Sequence, residues 1–504
     1  MENPSKHRFL NALAATALVL LAVRTAPADL RDTIEIELEQ AELSGATIAV
    51  SVRDAETGAV LISENADALM IPASNMKLLT TGAALAVLGP TFEFRTRLLL
   101  DGDRLVVVGD GDPGFGDPVL LELMQLHERT GLDVDEFLQL WVSAVQAAGV
   151  EHLSAVTVDD RIFDRNYVHP SWPVDQLNRR YCAEVSGFNF HGNVLHFYPR
   201  HGRGHRPDLE LFQPYAPWLT VTNHATTRDG VHDRNDVWIA RRRDTNSLTF
   251  YGNVKYPYRT PAPVTLHDMP AFFAQLLASR LNDVGIQVDA WGVMDPSAPQ
   301  PGGTTLAPVI ATPISTVVTR CNRDSQNLYA EALIKRIGYA IRHEPGSWTN
   351  GAAVVRLVVH ERLNSPNLAV QLVVHEGSGL SRDNRIAAET MTAWLNTFHQ
   401  DPRLGEIFLD SLAVAGRSGT LAKRFRDVDL YGMLLQAKTG YIHSVSCLSG
   451  YLTAPDQRRR SFSILINGLD KAGSVSRAKR LQERILSAVA WDMAATVSVM
   501  GGQP

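Results

Sequence analysis

Ser74 stands three residues before Lys77, between Pro72 and an apolar run from Leu78 to Leu88. If a helix begins at the serine, positions i and i+3 share a face and the lysine amine can reach the hydroxyl. A serine hydroxyl is a poor nucleophile near neutral pH. A desolvated lysine with a lowered pKa is one of the few side chains able to take its proton. Alone, the spacing arises by chance and reads as a helix N-cap followed by a solvated lysine.

Two further groups stand downstream. Ser325-Gln326-Asn327 falls at a predicted helix start, and Lys438-Thr439-Gly440 leads into Tyr441 to Tyr451, a strand-like run. A strand presenting a cation, a hydroxyl and a glycine can line one wall of a cleft: the first two hold a carboxylate, and the glycine lets a substrate backbone approach. Lysine is scarce between Lys77 and Lys438, where only Lys255, Lys335 and Lys423 occur, so two lysines in such settings carry weight. Taken singly, Ser325 is a helix N-cap and Asn327 a first-turn residue.

The elements that must position these groups are legible from periodicity and turn chemistry. Residues 46–52 and 59–63 read as a hairpin closed at 54–58, followed directly by the Ser74 helix. Strands are predicted over 95–100 and 104–108, then a Gly/Asp-rich turn at 109–114; lacking the spacing of a calcium loop, it is expected to be a tight turn. Two segments, 134–158 and 269–293, repeat one plan of amphipathic helix, Gly followed by a β-branched residue, and strand. A polar, aromatic region lies between them, and 295–303 has the composition of a linker. Helices are predicted over 314–321, 325–341 and 350–363, strands over 369–375, 448–453 and 462–466, and a last amphipathic helix over 474–491.

Ser-x-x-Lys, Ser-x-Asn and Lys-Thr-Gly, in that order, resemble the signature set of penicillin-binding proteins and serine β-lactamases. Roughly 250 residues separate Ser74 from Ser325, a gap that resembles the low-molecular-mass class C penicillin-binding proteins of the DacB type (peptidase family S13). Supporting segments are Val107–Pro113, Tyr181–Asn189, Glu376–Asn384 and Val414–Leu421. The resemblance implies an α/β (α+β) penicillin-binding-protein/β-lactamase-like transpeptidase fold, a central antiparallel sheet with flanking helices, carrying large inserted domains between the first two motifs. The expected organisation is an export signal over 1–28, the first part of the penicillin-binding domain over 29–90, inserted accessory domains over 91–303, and the second part over 304–504.

The same resemblance implies a serine-type D-alanyl-D-alanine carboxypeptidase/endopeptidase acting on peptidoglycan peptides and acylated by β-lactams. Ser74 would be the nucleophile and Lys77 its base. Ser325 would relay the proton, and Asn327 would hold Lys77 and the substrate amide. Lys438 and Thr439, with Gly440, would bind the terminal carboxylate, and the backbone N–H groups of Ser74 and Tyr441 would form the oxyanion hole. No cofactor or metal is implied. Two departures stand out: Glu376 replaces the usual Asp, and Tyr441 follows Lys-Thr-Gly where a small or hydroxyl residue is commoner. Ser378 and Ser381, in a Gly-rich loop, read as structural. The alternatives are a β-lactamase or D-amino-acid esterase on this fold, against which Glu361–Asn364 misses the class A spacing by one residue, and a non-catalytic wall-binding homologue.

Composition is that of an ordinary globular protein, and the N-terminal segment speaks for export. The 504 residues are 45% hydrophobic with a formal net charge of -6, which gives no sign of nucleic-acid binding; the arginine runs 241–243 and 458–460 read as solvated loops. A basic start, an apolar stretch from Phe9 to Val23 and Ala26-Pro27-Ala28 describe a signal peptide, an uncleaved anchor being the alternative. Cys182, Cys321 and Cys447 are too few for a disulfide framework and read as small buried hydrophobes. Nothing in the sequence speaks to oligomeric state.

Overall fold

The computed structural model describes residues 29–126, 129–202, 204–227 and 235–500. The expected signal over 1–28 lies outside the described residues.

Along the chain, helix α1 (Leu30–Glu39) precedes the hairpin β1 (Thr47–Asp54) and β2 (Val60–Glu64). A single 3-10 turn, Ala73–Asn75, runs into α2 (Met76–Leu88). Next come β3 (Glu93–Asp101), β4 (Arg104–Val108), α3 (Val134–Ala147) and β5 (Ala155–Asp159). They are followed by β6 (Val194–Phe197), β7 (Val221–Asn223), β8 (Trp238–Arg241), β9 (Leu248–Tyr251) and β10 (Ala262–Thr265). Then come α4 (Met269–Asp283), β11 (Trp291–Val293), α5 (Ile314–Arg323), α6 (Asn327–Arg342), α7 (Trp348–Leu363) and α8 (Ala388–His399). The chain closes with β12 (Leu434–Ile442), β13 (Val445–Thr453), β14 (Arg459–Asn467) and α9 (Ser474–Met500).

A six-stranded sheet runs β2-β1-β14-β13-β12 and ends on the two-residue strand Ala413–Val414; every pairing in it is antiparallel. All nine residues of β13 are buried. An antiparallel strand usually shows alternation, apolar in and polar out. Here both faces are covered. Val445, Cys447 and Tyr451 join the core made with α2 and α5 to α8, whereas Leu448 and Leu452 join the core made with α1 and α9. The same period of two on β12 sends Leu435 and Ala437 toward the α9 side, which leaves Lys438 and Gly440 facing the α2 layer.

The residues from β3 to Thr305 build their own sheets and core. A second six-stranded sheet, β11-β5-β4-β3 with Thr304–Thr305 and Ile310–Pro313 both paired to β3, pairs β11 and β5 in parallel, each strand following its own helix, α4 and α3. The repeated plan of helix, Gly and strand read in the sequence is thus present in both segments. Phe115, Phe137, Trp141, Phe188, Phe190 and Phe273 form its aromatic centre. The excursion returns along the strand by which it left, because Ile310–Pro313 pairs with the start of β3. The turn at 109–114 is tight, as expected, its Asp112 accepting from the Gly114 N–H at 2.8 Å and from the Thr312 hydroxyl at 2.6 Å. Burial pushes the Asp112 carboxyl up to about 7.

Three local expectations are corrected, the last in part. The stretch 369–375 is a helical turn, Pro366–Ala369, and a two-residue strand, Leu372–Val373, because Pro366 starts a helical turn. Helix α6 begins at Asn327 with Gln326 as its N-cap, and Ser325 sits outside it with φ 59°. The arginine runs are solvated loops only in part: Arg242 and Arg243 are exposed beyond β8, but the Arg241 side chain is 3% exposed against Glu184, and Arg459 and Arg460 start β14, bonded to His399 and Asp492. The three cysteines are free and buried, as small hydrophobes. No described helix is long and apolar enough to cross a membrane.

Candidate active site

Three elements meet at Ser74. Its turn is held against the sheet by Asn467, whose amide accepts from the Ile71 N–H at 2.8 Å and donates to the Ile71 carbonyl at 3.1 Å. Asn75 donates to the Lys438 carbonyl of β12 at 3.1 Å. Ala73, just before the serine, is in the left-handed region at φ 45°, where a side chain with a Cβ costs roughly 1–2 kcal/mol. Such strain persists only where the surroundings over-determine the backbone, and here the sheet supplies that constraint.

Lys77 is fully buried on the first turn of α2. Its Nζ lies 3.1 Å from Ser74 Oγ, donates to Asn327 Oδ1 at 2.7 Å and donates to the Ser378 carbonyl at 2.7 Å. The Asn327 amide is oriented by its other end, Nδ2 donating to the Tyr181 carbonyl at 2.8 Å, so the oxygen must face Lys77. Burial lowers the pKa of Lys77 despite the opposing pull of Cys321, Glu376 and Glu331. The neighbouring lysine makes the cluster harder to charge: Lys438 is held well below its ordinary value by burial and by Lys77.

Lys438 donates from Nζ to Ser325 Oγ and to the Thr439 carbonyl, both at 2.8 Å. It thus reaches the Ser-x-Asn segment from behind, while the Thr439 hydroxyl bonds Thr420 at 2.9 Å. A cavity of about 510 Å³ opens over these groups, lined by Ser74, Ser325, Asn327, Tyr181, Arg382 and Tyr441 among others. Lys77, Lys438 and Thr439 are not among its lining residues. Tyr441 is 58% exposed at its rim.

Gly440 has a different reason from the one its sequence context suggests. A Cβ there would lie 2.6 Å from Asn75 Oδ1 and 2.7 Å from the Pro72 carbonyl, so the space is taken by the Ser74 turn rather than left for substrate. Gly440→Ala is therefore expected to push that turn off the sheet, at about 1–3 kcal/mol of overpacking, and to slow acylation by penicillin. A denaturant midpoint and a labelling rate check both effects.

The predicted residues Ser74, Lys77, Ser325, Asn327 and Lys438 come together. Several neighbours escaped sequence reasoning. The Ser378 carbonyl is a partner of Lys77, although its residue reads as structural. The Tyr181 carbonyl orients Asn327. Glu331, one helical turn past Asn327, carries no motif. The first two lie in segments that the resemblance singles out, but backbone carbonyls leave no residue-type signal. Ser381 does read correctly, its hydroxyl accepting from Ser171 at 2.8 Å. Glu361, considered for a β-lactamase, is exposed on α7.

Comparison with known proteins agrees with this geometry. The model of the D-Ala-D-Ala carboxypeptidase 3 (S13) family matches residues 30–487. The D-alanyl-D-alanine carboxypeptidase of Actinomadura sp. (strain R39) is 31% identical over 467 residues, covering 87% of this chain and 81% of that protein. D-alanyl-D-alanine carboxypeptidase DacB of Haemophilus influenzae is 22% identical, covering 88% and 90%. The crystal structure of penicillin binding protein 4 (dacB) from H. influenzae superposes with a TM-score of 0.72 at 18% identity, covering 91% of this chain and 99% of that one, and so shares its fold. The chain belongs to the D-Ala-D-Ala carboxypeptidase 3 (S13) family and is a serine-type D-alanyl-D-alanine carboxypeptidase.

Proposed function

We propose that Ser74 attacks the carbonyl between two D-alanines of a peptidoglycan stem peptide, or between a D-alanine and the acceptor residue of a cross-link, and that Lys77 takes its proton. The observation that carries this reading is Lys77 Nζ, buried and held 3.1 Å from Ser74 Oγ by Asn327 Oδ1 and the Ser378 carbonyl; as an ammonium it donates to all three. A neutral amine has two N–H groups and one lone pair. Asn327 Oδ1 and the Ser378 carbonyl accept only, so they use both N–H groups, and the lone pair is left for the hydroxyl of Ser74. Burial favours that neutral form.

As the Ser74 Oγ–C bond forms, the Ser74 and Tyr441 backbone N–H groups take the negative charge on the carbonyl oxygen, with the N-terminus of α2 behind them; a donor of this kind is worth about 3 kcal/mol. The proton on Lys77 passes through Ser325 to the leaving amine as the C–N bond breaks, and Lys438 orients the Ser325 hydroxyl at 2.8 Å. The terminal carboxylate is read onto the Lys438-Thr439 end of β12 beneath the cavity, where its negative charge favours the charged form of Lys438, while Gly440 serves the Ser74 turn. Asn327 holds the substrate amide as well as Lys77. Water then hydrolyses the acyl-enzyme, and the serine regains its proton. A β-lactam acylates the same serine, and its leaving group stays tethered. Action on wall peptides places the enzyme in the cell envelope, consistent with the export signal read over 1–28.

The test is incubation with a fluorescent penicillin and, separately, with a diacyl-D-Ala-D-Ala peptide. Stoichiometric labelling on the peptide that contains Ser74, with release of D-alanine, is the expected result. Rapid penicillin turnover would make the chain a β-lactamase, and no labelling would make it a non-catalytic wall-binding protein.

A further inference from the structure

Two carboxyl groups lie behind Lys77, and the reaction scheme uses neither. Glu331 projects from α6 one turn after Asn327, and Glu376 opens the loop that carries Ser378; both are fully buried. Three consecutive backbone N–H groups converge on them. Gly377 and Ser378 donate to Glu331 at 2.9 and 2.8 Å, and Gly379 donates to Glu376 at 2.7 Å. Trp348 Nε1 completes Glu331 at 2.8 Å, while the Ser378 hydroxyl and Asn384 Nδ2 complete Glu376, each at 2.6 Å.

The two carboxyls also converge on one donor: the Ser378 N–H lies 2.8 Å from Glu331 Oε1 and 3.3 Å from Glu376 Oε2. Ionised carboxylates only accept, and two of them sharing one donor repel each other. Two buried carboxylates in contact hold one proton between them. The pair then carries one negative charge.

That charge is wired to Lys77 through a single peptide group. The Ser378 carbonyl accepts from Lys77 Nζ, and the N–H of the same peptide, that of Gly379, donates to Glu376. A carboxylate on the N–H end polarises the peptide and makes its carbonyl a stronger acceptor for an ammonium. Gly379 is required for this arrangement: its φ is 84°, and a Cβ would lie 1.8 Å from the Ala73 carbonyl.

We propose that Glu331 and Glu376 share one proton and that the single negative charge left on the pair is the counter-charge against which Lys77 gains and loses its proton. They are positioning residues acting through the Ser378–Gly379 peptide. This rests on Lys77 being the base. Burial pushes Glu331 well above the carboxylate range; Glu376 is lowered although burial opposes its charge, because Glu331, Ser378 and Gly379 bond its oxygens. The other titratable groups facing Lys77 are Cys321 on α5, pushed up to about 12 by burial, and Lys438 on β12. Around the pair stand His169, His375, Cys182 and Lys335. The amine of Lys335 is already committed to Asp164 at 2.7 Å.

The experiment is the pH dependence of acylation by a fluorescent penicillin in wild type, Glu331→Gln, Glu376→Gln and the double variant. Each single variant leaves one carboxylate, hence one negative charge; the double variant leaves none. Loss of the charge makes Lys77 harder to protonate and a weaker base. In the double variant the acid limb is therefore expected to move roughly one unit toward lower pH, and the plateau to fall roughly tenfold, the rate equivalent of one unit. The single variants keep the limb in place even where the plateau drops. A double variant with a lower plateau and an unmoved limb overturns the proposal, since a merely structural role gives that result. So does a single variant that moves the limb as far as the double. If the double variant does not fold, a single variant whose limb moves by about one unit overturns the proposal. Failure of the wild type to acylate would instead overturn the assignment of Ser74 and Lys77.

Discussion

Lys77→Met is expected to lower the rate of acylation by penicillin and by D-Ala-D-Ala peptide about a thousandfold or more, with the fold intact. Methionine matches the reach of lysine but offers no lone pair on nitrogen, so the Ser74 proton has no acceptor at 3.1 Å. Two acceptors, Asn327 Oδ1 and the Ser378 carbonyl, lose their donor. An orphaned buried acceptor costs about 1–3 kcal/mol. Against that, the substitution removes a fully buried amine whose charged form burial disfavours. The two effects oppose each other, and the net change in stability is expected to be small beside the loss of activity. Stopped-flow acylation and a thermal melt on the same samples check the two halves. Ser74→Ala should abolish labelling altogether. In the wild type the acid limb of acylation reports Lys77: the base is lost as pH falls through its value, and burial sets that value below 10.5.

The nucleophile, its base, the Ser-x-Asn pair and the second lysine were legible because each is a residue type at a fixed spacing in a local element. The sheet was legible too. Its strands read as apolar runs, and 54–58 reads as the turn between the first two, but the run 441–451, read as one strand, is broken at His443-Ser444 between β12 and β13. What could not be read falls into two kinds. Contacts made by backbone carbonyls, such as Ser378 and Tyr181, depend on where a loop passes rather than on which residue it carries. Conformations such as the positive φ of Ala73 and Ser325 occur at residues with no intrinsic preference for them. They follow from tertiary packing, which overrides local propensity. Gly440 belongs to both groups: the glycine was legible, but its reason was not, since the neighbour occupying its Cβ space lies more than three hundred residues away in sequence.

The strain at Ser325 needs an external constraint, and one residue supplies much of it. Asp117 accepts from Arg320 on α5 at 2.9 and 3.1 Å and from the Tyr329 hydroxyl on α6 at 2.6 Å. Ser325 lies between these two helices, so a carboxylate contributed by the excursion that begins at β3 clamps both flanks of the Ser-x-Asn segment. Asp117 also caps the turn Pro118–Leu121, accepting from the Val119 N–H at 2.8 Å. All three partners are buried: Asp117 is 4% exposed, Arg320 9% and Tyr329 1%. Asp117→Ala would leave the Arg320 guanidinium buried with Asp324 as its one ionic partner among the described residues. Breaking a buried pair from one side costs about 3–5 kcal/mol, and the lost cap adds about 1 kcal/mol. The expected result is a fall in the denaturant midpoint of that order. Acylation should slow as well, because Ser325 is freed to leave the left-handed conformation in which Lys438 reaches it. Glu93→Ala, which breaks the exposed pair with Arg95, serves as the control and should change stability by less than about 0.5 kcal/mol. Equal effects from the two substitutions would show that the excursion does not brace the catalytic segment. A large effect of Asp117→Ala on both midpoint and acylation rate would make the inserted region part of what holds the active site in register.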